Sequence, residues 1–80
     1  MKTSLWYKRF GGMREEHYYH ITEIEEAGEV SGTQYRYDAV LHKVIGSVPC
    51  SYDNKWWMEQ ELSNAVHEVA ESTVPFLMGF

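Results

Sequence analysis

Residues 53–72 read DNKWWMEQELSNAVHEVAES, and the reading of this stretch decides the fold class. Met58, Leu62, Ala65, Val66 and Val69 fall at i, i+4, i+7, i+8 and i+11, one apolar stripe on a 3.6-residue period. The spacing predicts an amphipathic helix from Asp53 to Ser72, started by a cap at Asp53 or Ser51 and ended by Thr73-Val74-Pro75. At about 100° per residue, Trp56 and Trp57 each miss the mean direction of that stripe by more than about 120°. Both tryptophans are therefore expected off the buried face. A first-turn side chain points back toward the N-terminus, so one of them can cover the Cys50–Tyr52 loop. An exposed tryptophan beside Tyr52 is a typical anchor for a protein–protein contact, so at least one of the pair is expected either at an interface or in structural packing. Glu68 and Glu71 in the last turn oppose the helix dipole, each costing up to about 1 kcal/mol unless paired. With Glu59 and Glu61 they make the outward face acidic, answered on the helix by Lys55 alone. The missing cation is expected either within the fold, from Arg9 or Arg14, or on a partner.

Upstream, Tyr35, Tyr37, Ala39 and Leu41 alternate with Gln34, Arg36, Asp38 and His42, a period of two broken only by Val40. This predicts a strand entered through a turn spanning Ala27-Gly28 to Ser31-Gly32 and ended by Gly46 to Ser51 with its Pro49. Glu16 to Glu26 carries two patterns. His17, Tyr18, Tyr19, Ile21, Thr22 and Ile24 favour a strand, while Met13, His17, Ile21, Ile24 and Gly28 fit a helix closed by a glycine. Two adjacent tyrosines and a threonine cost helix propensity, so the strand is preferred. Thr3 to Phe10 stops at Gly11-Gly12, a hairpin signal. A two-residue turn there sets Phe10 opposite Met13, Lys8 opposite Glu15 and Trp6 opposite His17, with Arg9 unfavourably facing Arg14. At the far end, Phe76, Leu77, Met78 and Phe80 are too apolar to hang in water. They are expected to form an edge strand or pack on a neighbour, and a Phe76–Phe80 strand can complete a homodimer sheet.

The elements add up to the α+β class: a small antiparallel β-sheet of three to four strands packed against one amphipathic α-helix, in the order β-β-β-α-(β), with residues 1–80 as a single domain. At 80 residues with 44% apolar and 15% aromatic content, the chain is globular rather than disordered. One cysteine, Cys50, excludes an internal disulfide framework. No apolar run reaches the length of a membrane span and the N-terminus lacks a signal-peptide core, so a reducing cytosol is expected.

Charge is segregated. Residues 1–14 hold Lys2, Lys8, Arg9 and Arg14 without an acid; residues 15–80 hold all 12 acids against Arg36, Lys43 and Lys55, for a net −5 overall. Glu15, Glu16, Glu23, Glu25, Glu26 and Glu29 crowd a stretch without Lys or Arg. A negative field works against phosphate binding and favours either a basic protein partner or simply solubility, as a solvated acidic face beside a basic strand. Trp6, Tyr7 and Phe10 interleave with Lys8, Arg9 and Arg14 as in single-stranded nucleic-acid platforms, which makes a nucleic-acid or nucleotide binder the alternative reading.

Catalytic signals are missing. His17 and His20 lie at i, i+3 beside Glu15 and Glu16; on a helix they share a face and can join a zinc site, whereas on a strand they point to opposite faces. Cys50 has no basic cluster beside it to activate the thiol, and neither His42 nor His67 stands at a supporting spacing. No phosphate loop, dinucleotide fingerprint or H-E-x-x-H motif occurs. No enzyme, metal or cofactor is expected.

A short, acidic, aromatic-rich chain without catalytic motifs resembles the small proteins with which phages and mobile elements disable host machinery, anti-CRISPR and anti-restriction proteins among them. The resemblance is one of composition and assigns no residue roles. It implies an inhibitor or adaptor that binds a basic, nucleic-acid-handling host complex, without touching nucleic acid or membrane itself. Alternate strand residues lie roughly 6.5–7 Å apart, so Glu23 and Glu25 can present a phosphate-like row. The expected partner-binding set is Glu23, Glu25, Glu26, Trp56, Trp57, Glu61 and Glu68.

Overall fold

The computed structural model describes residues 1–10, 14–61 and 66–77. Among them, strands β1 (Lys2–Phe10), β2 (Glu15–Ile24), β3 (Val30–Asp38) and β4 (Lys43–Tyr52) precede a single short helix, α1 (Lys55–Glu61), and a fifth strand, β5 (Val66–Val69). All neighbours are antiparallel in the order β4-β3-β2-β1-β5. Two 3-10 turns, Glu71–Thr73 and Pro75–Leu77, follow. The antiparallel sheet with one helix stands as expected, but among the described residues the strands number five and sheet dominates.

The strand reading of Glu16 to Glu26 holds as far as Ile24, where β2 ends, and the reason is visible in the side-chain pairs. Trp6-Tyr7 and Tyr18-Tyr19 are consecutive aromatics that the pleat sends to opposite faces. Tyr7 and Tyr19 join Ile21, Val30 and Met58 in a core under α1. Trp6 and Tyr18 join Tyr37 and Val74 in a second core on the other face, with Phe76 packed against it. Phe76 alone meets Trp6, Tyr18, Tyr35 and Tyr37 at ring-centroid distances of 5.7, 5.4, 5.2 and 5.9 Å. The sheet is buried on both sides, so doubled aromatics suit it better than simple alternation.

Four expectations are corrected. The first hairpin pairs Trp6 with His20, Lys8 with Tyr18 and Phe10 with Glu16, because the connection between Phe10 and Glu15 is longer than two residues. Lys8 still meets an acid, Glu16, at 2.9 Å.

The strand predicted to run to His42 ends at Asp38. Its carboxylate accepts the Val40 and Leu41 N–H groups at 2.9 Å each, an Asx-type turn, and His42 takes a φ of 55°. The chain then reverses into β4, which runs through the segment read as a terminating loop. Pro49 is tolerated there because β4 is a sheet edge.

The helix predicted over 53–72 stops at Glu61. It is capped by Asn54, whose Oδ1 accepts the Trp57 N–H at 2.8 Å, rather than by Asp53 or Ser51. Residues 66–69 pair with β1 instead, Val69 opposite Trp6 and Glu68 opposite Tyr7. Ladder hydrogen bonds along the β1 edge outweigh the helical period in a valine-bearing segment. Glu68 and Glu71 therefore never face a helix C-terminus. Met58 is fully buried as expected, and Val69 packs from a strand; Leu62 and Ala65 lie outside the described residues. Finally, Phe76 belongs to a 3-10 turn lying on the sheet, not to an edge strand, and residues 78–80 are outside the described set.

Two glycines are fixed by geometry. Gly28, at φ 100°, makes the β2–β3 turn. At Gly32, inside β3, an added Cβ would stand 1.9 Å from the His20 carbonyl oxygen, beside an irregularity in β2 between Ile21 and Glu23.

Candidate functional site: an acidic turn beside two exposed tryptophans

The turn at residues 25–29 is tied by its own backbone: the Glu25 N–H donates to the Glu29 carbonyl at 2.8 Å and the Gly28 N–H to the Glu25 carbonyl at 2.9 Å. This holds Glu25, Glu26 and Glu29 at the surface, all exposed. Gly28 sits against Asn54, its Cβ position 3.7 Å from the Asn54 Cβ, so the acidic turn abuts the start of α1. There Trp56 and Trp57 stand 59% and 48% exposed, their rings edge to face with centroids 5.0 Å apart. Among the described side chains of α1, Met58 alone enters the core beneath. Exposed Asp53 and Glu59 border the pair.

The expected binding residues fall unequally. Glu25, Glu26, Trp56 and Trp57 are brought together. Glu23 is half-buried in β2 and carries the N-terminal ammonium at 3.6 Å, which also donates to the Ile24 carbonyl at 2.7 Å. The strand ends at Ile24, so Glu23 and Glu25 do not form the regular row that a continuing strand would give. Glu68 is exposed on β5 and shares with Glu59 and Lys55 the surroundings of the Tyr7 hydroxyl. Burial raises the pKa of that phenol, Lys55 opposing. Glu61 closes α1.

Cations at the other end of the sheet are matched locally. Arg14 Nε bonds Asp38 Oδ2 at 2.9 Å, and its carbonyl accepts the Ala39 N–H. Arg36 bonds Glu15, which also receives His17 at 3.3 Å. Backbone donors from Leu41, with Arg14 and Val40, hold the Asp38 carboxyl below the usual range, and Arg36 with His17 does so for Glu15. Among the described residues, none of Glu25, Glu26, Glu29, Asp53 and Glu59 forms an ion pair. Arg14, bound to Asp38, does not supply the cation expected for Glu59, Glu61, Glu68 and Glu71.

The other candidates sit in structural settings. His17 and His20 point to opposite faces; His20 stacks on Trp6 at 4.0 Å and bonds Ser4 Oγ at 2.9 Å. No group of three or more His, Cys, Asp or Glu suited to a metal occurs among the described residues. Cys50 lines an open hollow of about 380 Å³ with Thr22, Ser31, Gly32, Thr33, Pro49 and Ser51. Burial pushes its thiol pKa up, a Gly32 backbone hydrogen bond opposing. Trp6 and Tyr7 are 3% exposed, so neither ring offers a face to a base. No described helix is long and apolar enough to cross a membrane. No family model, curated protein or solved structure matches the chain.

Proposed function

We propose that this chain is a non-enzymatic inhibitor or adaptor whose acid-and-tryptophan surface docks on a basic, nucleic-acid-handling host protein complex, in the manner of phage or mobile-element anti-defence proteins. The observation that carries this reading is the pair Trp56–Trp57 held in solvent beside an unpaired acidic turn. Exposing two large aromatics forgoes their burial, and aromatic side chains ringed by polar groups are characteristic anchors of protein interfaces. The carboxylates add attraction to a cationic surface and steer encounter with it.

Capture of partners from host lysate, followed by surface plasmon resonance on the captured complex, tests the reading. Glu25→Lys with Glu26→Lys should slow association, and added salt should weaken the wild type, since exposed charges are screened beyond about 8–10 Å. Trp57→Ala should speed dissociation, with a loss of about 2 kcal/mol or more. Capture of a neutral or acidic partner, or binding indifferent to both changes, overturns the proposal.

A further inference from the structure

On the sheet face that carries α1, Met58 packs over Tyr7, Tyr19, Ile21 and Val30. Beyond that core, toward the β3–β4 turn, three adjacent strands set Arg9 opposite His17 and His17 opposite Arg36. Alternation along each strand places this row on the same face as Tyr7 and Tyr19. Gly46 continues the row on β4, opposite Arg36. A Cβ built on Gly46 would meet nothing within 4 Å. With Gln34, Arg36, Ser47 and Val48 it lines a hollow of about 160 Å³. Pockets for drug-sized ligands begin near roughly 300 Å³, so this one fits a single small group.

The hollow is rich in donors. The Gln34 amide donates to His17 Nδ1 at 3.4 Å, which leaves His17 Nε2–H to donate to Glu15 at 3.3 Å. Arg36 donates to the same carboxylate, which is therefore engaged from two sides. The Arg36 side chain stays 53% exposed while that of Glu15 is 29% exposed, and for Arg14 and Asp38 the figures are 58% and 8%. In both pairs the guanidinium is the outer member. Arg9, and Lys43 opposite Asp38, form no ion pair with a described residue. Glu68, exposed opposite Tyr7 on β5, does not pair with Arg9 either. Arg9, Arg14, Arg36 and Lys43 thus outnumber Glu15 and Asp38 by two charges at this end of the face.

We propose that this row binds a phosphate monoester, its oxygens seated beside Gly46 to accept from Arg36 and Gln34, with Arg9 and Lys43 supplying the remaining charge. A phosphate monoester carries about −1.5 to −2 at neutral pH, which suits an excess of two cations. Its free oxygens only accept, and a guanidinium presents a fixed fork of donors to them. A carboxylate would bring one charge and two oxygens. Arg9 and Arg36 lie two strands apart, about 9–10 Å, and their long side chains can close on one tetrahedral group above His17. The net −5 of the chain does not oppose this locally. Arg36 lies six residues along β3 from Val30, where the acidic turn ends. That is roughly 20 Å at about 3.3 Å per residue, beyond the Debye length of about 8 Å. The site is separate from the acid-and-tryptophan surface, and its test needs no host partner, so the two proposals fail independently.

Amide chemical-shift mapping of the full chain against inorganic phosphate, with ionic strength held constant by sodium chloride, tests the site. Saturable shifts should appear at Arg9, His17, Gln34, Arg36 and Gly46, and none at residues 25–29 or 55–59. Arg9→Gln and Arg36→Gln should each weaken binding by about tenfold, the loss expected for one charge-assisted hydrogen bond. Gly46→Asp sets a carboxylate in the open hollow and should abolish the shifts, whereas Gly46→Ala should retain them. Adenosine 5′-monophosphate separates the sources: affinity no tighter than for phosphate assigns the site to the free ion, and tighter affinity assigns it to a nucleoside monophosphate. An oligonucleotide without a terminal phosphate that binds more tightly than both overturns the proposal, since the row would then follow a phosphodiester backbone. Shifts that do not saturate by tens of millimolar phosphate, that chloride reproduces, or that ignore Gly46→Asp overturn it as well. Where a variant fails to fold, the wild-type shift map still decides.

Discussion

The two faces of the sheet are closed by covers of similar length and unequal grip. On one face α1 inserts, among its described side chains, Met58 alone, and holds both of its tryptophans in solvent. On the other, residues 70–77 insert Val74 and Phe76, and Phe76 meets four rings of the sheet. Burial alone would favour the reverse, since a tryptophan removes more apolar surface from water than a methionine does. The regular element turns its largest aromatics outward, and the irregular one turns its aromatic inward. The C-terminal segment gives its aromatic to the core, whereas α1 leaves its tryptophans at the surface and docks through Met58.

Phe76→Ala should break this asymmetry most severely. Phe76 is half-buried, so loss of a ring that meets four others should cost about 3 kcal/mol in urea unfolding, the low end of the range for a phenylalanine truncated in a core. A cost below about 1 kcal/mol would mean that the C-terminal cover is dispensable. Met58→Ala comes next, at about 2–3 kcal/mol, as a fully buried but flexible side chain truncated under α1; a larger loss there than at Phe76 would invert the comparison.

Acid sharpens the contrast through protonation. Burial lowers the His20 pKa, Glu71 pulling the other way, on the face that Phe76 covers. The unfolded chain therefore takes up this proton first as pH falls below about 6.5, so stability present above that pH is lost as pH falls toward the folded value. The lowered carboxyls of Asp38 and Glu15 act in a second window: their stabilisation is present above about 4 and lost below it. At the alkaline end both faces respond, because burial raises Tyr7 and Tyr18, and the stability of the neutral phenols holds below about 10 and is lost above it. His20→Gln should flatten the upper acid step in thermal melts between pH 7 and pH 5, and an unchanged slope would count against the assignment. The smallest effect belongs to the surface pair: Trp56→Ala should move stability by no more than about 0.5 kcal/mol. A large loss would show that this tryptophan is core.

What could be read from the sequence follows from which contacts are local. The strand over 16–24 was legible because Tyr18, Tyr19 and Thr22 weigh against a helix, and the exposure of Trp56 and Trp57 follows from their angle to Met58, which survives in a helix of only two turns. The fourth strand was not legible. Gly46 and Pro49 are turn residues by composition, and only the position of β4 at an edge makes them acceptable. The fifth strand was hidden for another reason, since Val66 and Val69 continue a 3.6-residue period by chance while their partner strand lies some 60 positions earlier in the chain. One warning was present in Glu68 and Glu71, acids placed where a long helix would least favour them. At the candidate surface, the exposure of Trp56 and Trp57 and the acidity of Glu25 and Glu26 were legible, but the apposition of Gly28 and Asn54 that brings them together is a tertiary contact without a sequence signature.

The placement of the three tryptophans also gives the molecule two optical reporters. Trp6 lies flat on His20 in a closed aromatic core, so its emission should be sheltered from dissolved quenchers and should dim when the imidazole gains a proton. Trp56 and Trp57 are open to solvent within an acidic neighbourhood, which repels iodide and draws in caesium. A cationic quencher therefore reads the surface pair, an acid titration reads the interior ring, and a partner that covers α1 should silence the first signal while leaving the second untouched.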